Sequence, residues 1–236
     1  AAVADRLRGE AVKPYYADES VTLYHGDCLE IDAWLVADVL VTDPPYGIGW
    51  ASGQMYDSKQ VKCQVKEYGL RVPVHGDDDT RVRDAVISLW GAKPGAIFGT
   101  WRVSRPPATQ HRLIWDKQGR FPGLANAAFY PADEEIYILG SGWISDPPQR
   151  SVITTHEMRA GANSETARLG HPTPKPVALM ERLIDKAPPG VIADPFAGSG
   201  STLIAARNLG RRAIGVELEE RYCEIIARRL AQGVLL

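Results

Sequence analysis

The stretch VIADPFAGSGSTLIAARNLGRRAIGVELEERY at 191–222 decides the fold: an apolar run closes on Asp194, a glycine-rich turn follows, then a helical pattern, a second apolar run and an acid at its end. That is half of a nucleotide-binding unit. Gly198 and Gly200 permit backbone angles and a close approach that a Cβ would block, and the turn opens a helix whose unpaired N–H groups face whatever lies there. Glu217 stands 19 residues after Gly198, the spacing at which an acid on the neighbouring strand reaches ribose hydroxyls. An adenosine-containing ligand is implied. A phosphate tail is not, because the lysine of G-x-x-x-x-G-K-[ST] is missing, and the third glycine of the dinucleotide fingerprint is missing too, which argues against an NAD dehydrogenase.

Outward from this unit, short apolar runs alternate with helical patterns, as in a mostly parallel sheet covered by helices. The runs are 21–27, 38–43, 95–100, 111–117, 134–140, 190–194 and 211–218. Helices are predicted over 78–92, with Val82, Ala85, Val86 and Leu89 on one face; over about 174–186, with Val177, Met180, Leu183 and Ile184; from Thr202 onward; and over 219–231, with Tyr222, Ile225, Ile226 and Leu230 inward. The fold class read from this is α/β, doubly wound and Rossmann-like, with helices on both faces of the sheet. Two stretches read as irregular, 47–76 and 141–170, each longer than an ordinary loop. They are either recognition elements or plain surface insertions.

The 236 residues fit one α/β domain, and the 44% hydrophobic and 24% charged content excludes disorder and fibrous folds. No apolar run is long enough to span a bilayer and the first residues carry scattered charges, so a soluble, cytoplasmic protein is expected. The three cysteines, Cys28, Cys63 and Cys223, form no C-x-x-C pair, and no metal-ligand cluster is evident. A net charge of −2 argues against bulk attraction to nucleic acid. Local charge differs: Arg102, Arg105, Arg112, Lys117 and Arg120 face only Asp116 between 101 and 122, and three lysines and an arginine face only Glu67 between 59 and 71. Such runs are either solvated faces or phosphate tracks.

A third signal is DVLVTDPPYG at 38–47, where an apolar strand ends in Asp43-Pro44-Pro45-Tyr46. The two prolines fix φ and offer no N–H, so the Asp43 carboxylate and the Pro44 carbonyl are held as rigid acceptors beside an aromatic ring. That arrangement suits a planar heterocycle with an exocyclic amine. The copy SDPPQ at 145–149 lacks both the tyrosine and the preceding apolar strand, and reads as a decoy.

DPPYG at 43–47, HPTPKP at 171–176, DPFAGSGST at 194–202, GVELEERY at 215–222 and HGDCLE at 25–30 together resemble the amino-group DNA methyltransferases that use S-adenosylmethionine. With the Asp-Pro-Pro-Tyr turn ahead of the glycine turn, the order resembles the permuted subgroup, and the resemblance covers about residues 21 to 231. It implies a methyltransferase sheet with a small target-recognition insertion. It assigns Asp43, Pro44, Pro45 and Tyr46 to a flipped base. It assigns Asp194, Phe196, Ala197, Gly198, Ser199, Gly200, Ser201 and Thr202 to the methionine end of the cofactor, and Thr173 and Lys175 to its carboxylate. Glu217, with Leu218 beside it, goes to the ribose, and Asp27 and Cys28 to the adenine. For duplex DNA the candidates are Arg102, Arg105, Lys117 and Arg120 at phosphates, and Arg159, Asn163 and Arg168 of RAGANSETARLG at base edges. The recognition segment is short, which points to a short target, a homodimer or a helper domain. The Asp at the first position of the turn favours adenine N6 over cytosine N4. A non-catalytic nucleic-acid-binding module on the same fold, and an RNA substrate, stand as alternatives.

Overall fold

The computed structural model describes residues 12–49, 75–118, 132–155, 171 and 174–232. Its centre is one nine-stranded sheet: β1 (Tyr16–Ala17), β2 (Val21–His25), β3 (Val39–Thr42), β4 (Gly95–Gly99), β5 (Thr109–Asp116), β6 (Asp133–Leu139), β7 (Val152–Thr154), β8 (Ile192–Asp194) and β9 (Ala213–Glu217). The spatial order is β1-β2-β9-β8-β3-β4-β6-β5-β7. From β2 through β9, β8, β3 and β4 neighbours are parallel, and β6 then runs antiparallel to both β4 and β5. This is the expected α/β, Rossmann-like architecture. β8, which leads into the glycine turn, lies between β9 and β3, so the sheet is wound outward in both directions from it. Such a switch point opens a crevice at the carboxyl ends of the strands.

Strand alternation sorts the core into two layers. On one face Val39, Val41, Ala96 and Phe98 pack with Leu179, Met180 and Leu183 of α2 (Val177–Lys186), Leu203 of α3 (Ser201–Asn208), and Cys223 and Ile226 of α4 (Glu220–Ala231). On the other, Leu40, Ile97, Ala193 and Val216 pack with Val86 and Trp90 of α1 (Arg81–Trp90), and with Trp34 of a one-turn 3-10 helix, Ala33–Val36. Burial on both faces explains why VLVT of β3 reads as an unbroken apolar run rather than an alternating one.

The structure departs from the sequence expectations in four places. The α1 stripe is rotated: Arg83, Val86 and Trp90 are buried while Leu89 is exposed. Its pattern offers two apolar stripes, and stacking of Trp90 on Trp34 (ring centroids 5.8 Å apart) selects the one with the larger side chain. α3 begins at Ser201, one residue before the expected start. Part of 141–170 is regular, since Val152–Thr154 pairs with β5 and buries Ile153. The hairpin of β1 with β2 adds an edge not anticipated. Residues 50–74 and 156–170 of the two irregular stretches lie outside the described residues. Among the described residues, no helix is long and apolar enough to cross a membrane.

Candidate functional site

The carboxyl ends of six strands and the amino end of a seventh converge on a cleft of about 360 Å³, within the range of small-molecule sites. Asp27 and Cys28 follow β2, Phe196 to Ser199 follow β8, and Glu217 and Leu218 close β9 on one side of the lining. Asp43 to Tyr46 follow β3, Trp101 and Arg102 follow β4, and Lys117 and Glu134 come from β5 and β6 on the other.

In the first half, the spacing between Gly198 and Glu217 becomes a bond. The Gly198 N–H donates to Glu217 Oε2 (2.7 Å), and the Glu219 N–H donates to Oε1 (2.8 Å). Burial pushes the Glu217 carboxyl up to about 7, against the pull of these two N–H groups. The turn is fixed from behind, where the Arg229 guanidinium donates to Ser199 O (2.6 Å). Gly200 has φ +86°, and a Cβ there would lie 2.8 Å from Ile226 Cγ1 on α4. Gly198 has φ +53° and a Cβ would meet His171 Nε2 at 3.0 Å. The His171 ring packs on Tyr222 with centroids 4.7 Å apart. Its burial, with the charges of Lys175 and Arg221, lowers its pKa to about 4, so it is neutral near pH 7. Across the opening, Asp27 Oδ1 accepts from the Leu29 N–H (2.8 Å) and the Cys28 carbonyl accepts from Trp34 Nε1 (2.9 Å).

The two halves are tied where β3 and β8 lie side by side. Thr42 Oγ1 donates to Asp194 Oδ1 (2.6 Å), which also accepts from the Phe196 N–H (3.1 Å). Burial pushes Asp194 up to about 6, with the Thr42 and Thr202 hydroxyls opposing.

In the second half, the Tyr46 phenol stands between two acids. Its OH lies 2.8 Å from Asp43 Oδ1 and 2.9 Å from Glu134 Oε2. Lys175 Nζ donates to Asp43 Oδ2 (2.6 Å) and lies 3.1 Å from Glu134 Oε2. Lys117 Nζ pairs with Glu134 Oε1. Two carboxylates are thus balanced by two ammonium groups around one phenol. For Glu134, burial is outweighed by Lys175 and Lys117, which hold it well below the usual carboxylate range. For Asp43 burial prevails, aided by the Glu134 charge and opposed by Lys175, so its carboxyl is raised. The Lys175 ammonium stays charged despite burial, its pKa raised by both acids. Below this cluster the buried Asp77 anchors the end of the turn, accepting from the Gly47 N–H through Oδ1 (2.7 Å).

Asp27, Cys28, Asp43 to Tyr46, Asp194, Phe196 to Ser199, Ser201, Thr202, Glu217 and Leu218 all line the one cleft. Lys175 lines it on the Asp43 side, where its ammonium pairs with the two acids rather than with the glycine turn. Lys117, expected at phosphate, has its ammonium on Glu134 with its side chain 15% exposed. Arg102 lies on the rim beside Trp101, which is 73% exposed, and Arg105 is exposed nearby. Thr173, Arg120, Arg159, Asn163 and Arg168 lie outside the described residues. The 145–149 decoy lies away from the cleft lining.

Sequence reasoning missed Glu134, Asp77 and Trp101. Glu134 had a signal: two consecutive acids opening an apolar strand, EEIYILG, need partners once buried. Asp77 had none, standing second among GDDD with nothing to separate it from its neighbours.

The donor set fits an adenosine-bearing cofactor without a phosphate tail. An acid anchored on the glycine turn offers its remaining lone pairs to hydroxyls, and the arginine nearest the turn lies behind it on a backbone carbonyl.

Comparison with known proteins bears on this geometry. A family model described as DNA methylase, of the N6/N4 methyltransferases, matches residues 108–228. The Type II methyltransferase M.ScaI of Streptomyces caespitosus is 28% identical over 255 residues, spanning 92% of this chain and 84% of that protein. The Type II methyltransferase M2.LlaDCHI of Lactococcus lactis subsp. cremoris is 25% identical over 255 residues, spanning 94% and 93%. Among solved structures, the M1.HpyAVI–SAM complex shares the fold at TM-score 0.57 and 20% identity, covering 89% of this chain and 99% of that one. The PvuII DNA methyltransferase, described as cytosine-N4-specific, shares it at TM-score 0.62 and 15% identity, covering 94% and 90%. The matched segment holds the lysine of HPTPKP, the glycine turn and Glu217, which line the cleft together with Asp43. By that match the chain belongs to the DNA methylase family of N6/N4 methyltransferases.

Proposed function

We propose that this chain is an S-adenosylmethionine-dependent methyltransferase that modifies the exocyclic N6 of an adenine flipped out of duplex DNA. We read it as one catalytic domain with the permuted motif order, in which the stretches 47–76 and 141–170 contribute target recognition. The observation that carries the reading is the Thr42–Asp194 hydrogen bond. It joins the residue before Asp43 to the first residue of the glycine turn, so that a base site and a cofactor site open on one cleft.

When bound, S-adenosylmethionine supplies a methyl group activated on a sulfonium. Glu217 receives the ribose hydroxyls, Asp27 and the Cys28 backbone border the adenine, and the turn from Asp194 to Thr202 borders the methionine end. Thr173 and Lys175 are assigned to its carboxylate by the resemblance, and Lys175 carries the further task of neutralising Asp43 and Glu134. The remaining chain chemistry concerns the amine. Its lone pair is drawn into the ring, so it is a weak nucleophile until its hydrogens are bound. The Asp43 carboxylate and the Pro44 carbonyl accept those two N–H bonds, and the Tyr46 ring supplies a stacking face. Each Asp43 oxygen already accepts one donor, Tyr46 OH or Lys175 Nζ, and keeps a lone pair for the amine. Holding the amine in line with the methyl donor is the proximity contribution of the site. Arg102 and Arg105 on the rim suit phosphate. Asp in the first position of the turn supports adenine over cytosine.

The test is transfer of tritium from labelled S-adenosylmethionine to unmethylated duplex DNA, followed by digestion to nucleosides. Label in N6-methyladenosine is expected. Label in N4-methylcytidine would overturn the base assignment. Asp43→Ala is expected to lower the transfer rate at least about 100-fold with cofactor affinity kept. Turnover unchanged in that variant would overturn the assignment of Asp43.

A further inference from the structure

Outside the residues that the family motifs name, a partly buried acid, Glu134, meets the side chains around Asp43 in the cleft. Glu134 is the second residue of β6, the antiparallel strand, with Trp115 of β5 opposite it in register. Strand alternation separates it from Glu135, which faces the other way and is held by Arg112 Nη1 (2.8 Å) and Tyr137 OH. The two neighbouring glutamates therefore have different tasks. Glu135 is a paired structural acid, whereas the Glu134 carboxylate points at the Asp-Pro-Pro-Tyr turn with its side chain 16% exposed. Its two oxygens are divided. Oε1 is paired with Lys117, and Oε2 takes Lys175 Nζ (3.1 Å) and lies 2.9 Å from the Tyr46 hydroxyl, whose single proton it shares with Asp43 Oδ1.

The consequence for Asp43 follows from geometry. Asp43 touches Tyr46 OH through Oδ1 and Lys175 Nζ through Oδ2, the same two groups that Glu134 Oε2 touches. The phenol and the ammonium form a two-armed bridge between the acids. A tyrosine ring on a rotatable side chain would otherwise sweep out the space where a flipped base must stack, and a lone lysine would collapse fully onto Asp43.

We infer that Glu134 is a positioning residue for the methyl transfer, acting through Tyr46 and Lys175 to fix the stacking ring and to share the ammonium that would otherwise neutralise Asp43. This rests on the function proposed above. The charge balance is set by the groups that face the pair: Asp43 and Tyr46 after β3, Lys117 after β5, Lys175 before α2, and Asp194 at the end of β8. Glu134 remains ionised and takes no proton in the reaction. Its negative charge makes the Asp43 carboxylate a stronger acceptor, and removing that charge makes Asp43 a weaker one.

The test compares wild type, Glu134→Gln, Glu134→Ala, Tyr46→Phe and the double variant of the last two, as folded proteins checked by thermal melts. Single-turnover transfer from labelled S-adenosylmethionine to duplex DNA is read between pH 4.5 and 8.5 with the cofactor saturating at every pH, so that the Glu217 titration does not set the acidic limb, and cofactor affinity is measured by calorimetry. Glu134→Gln is the isosteric variant and keeps the fold while losing the charge. It is expected to slow transfer about tenfold, to leave the cofactor Kd within about twofold, and to move the acidic limb of the pH profile down by about one unit, the effect of one nearby like charge. A merely structural acid would lower the amount of active protein without moving the limb. Because Glu134 acts through the phenol, the loss in the double variant is expected to be far less than the product of the two single losses. An acidic limb unmoved in Glu134→Gln, or losses that multiply in the double variant, would overturn the inference. A wild type that transfers no label to DNA would refute the proposed function itself and this role with it, whereas an active wild type with an unaffected Glu134→Gln refutes the role alone.

Discussion

Cofactor binding is expected to depend on pH through Glu217, and the size of the effect follows from its burial. In the free protein the Glu217 carboxyl titrates at about 7, raised from an ordinary 4.5 by desolvation. Ribose hydroxyls donate to a carboxylate more strongly than to a carboxylic acid, so the bound state selects the ionised form. At pH 6 only about one protein molecule in ten has this group ionised, and at pH 8 about nine in ten do. The apparent Kd at pH 6 is then about tenfold weaker than at pH 8, with the change centred near pH 7. Adenosine is the ligand of choice for the assay. It carries the ribose and the base but lacks the α-amino group, whose own titration near pH 8 would overlay the signal. Calorimetry in two buffers of different ionisation heat would show close to one proton released per adenosine at pH 6 and little at pH 8. Glu217→Gln is expected to bind more weakly, because its amide presents a donor to one of the two backbone N–H groups, and to bind with no pH dependence. A wild-type Kd that is flat from pH 6 to 8, or a pH dependence that survives in Glu217→Gln, would refute the reasoning. The same group bears on stability with a definite sign. Its folded pKa lies above its unfolded one, so its contribution is greatest below about pH 4.5 and declines by about 3 kcal/mol as pH rises through 7.

Other outcomes follow from single residues. Gly200→Ala forces a left-handed backbone on a residue with a Cβ and drives it into Ile226, and is expected to cost about 2–4 kcal/mol; a melt within about 2 °C of wild type would contradict this. His171 has its pKa lowered to about 4 by burial and by Lys175 and Arg221, below its unfolded value. It therefore destabilises the fold as pH falls from about 6.5 toward 4, and His171→Gln is expected to narrow its melting difference from wild type, or reverse it, in that window. Replacing Arg102 and Arg105 together by Ala is expected to flatten the salt dependence of DNA binding by about two units of log–log slope, one for each phosphate no longer neutralised. An unchanged slope would remove both from the phosphate track.

How much of this was legible in the sequence depends on how local each feature is. The seven apolar runs all became strands, and the central ones, β3, β4 and β8, were plainest because burial on both faces of a parallel sheet leaves an unbroken apolar run. β7 was missed because three residues with one buried isoleucine carry no periodicity. The half of the cleft around the glycine turn was legible as geometry because its parts lie close in the chain: the turn, the helix and Glu217 fall within one βαβ unit, and the Gly198–Glu217 bond is the spacing made physical. The acceptor turn was legible for the same reason, as four adjacent residues define it.

The acids and bases around that turn were not, and the reason is topological. Glu134 reaches Asp43 only because β6 reverses direction, which brings the start of an antiparallel strand to the same edge as the ends of the parallel ones. Ninety-one residues of chain separate the two acids, from 43 to 134, and no local pattern records their meeting. Lys117 was misread in the same way. In sequence it belongs to a basic run, and the run suggests phosphate. In the sheet, β5 pairs with β6 and carries it to Glu134, so the charge that seemed free is neutralised inside the cleft. A charge run states composition, whereas the use of each charge is set by which strand end it sits on. The part of the site that the motifs name is the part proposed to touch ligands, and the part that topology assembles is the part that holds those groups in place. The pH profile of Glu134→Gln separates these two, since only an acid that acts on Asp43 moves it.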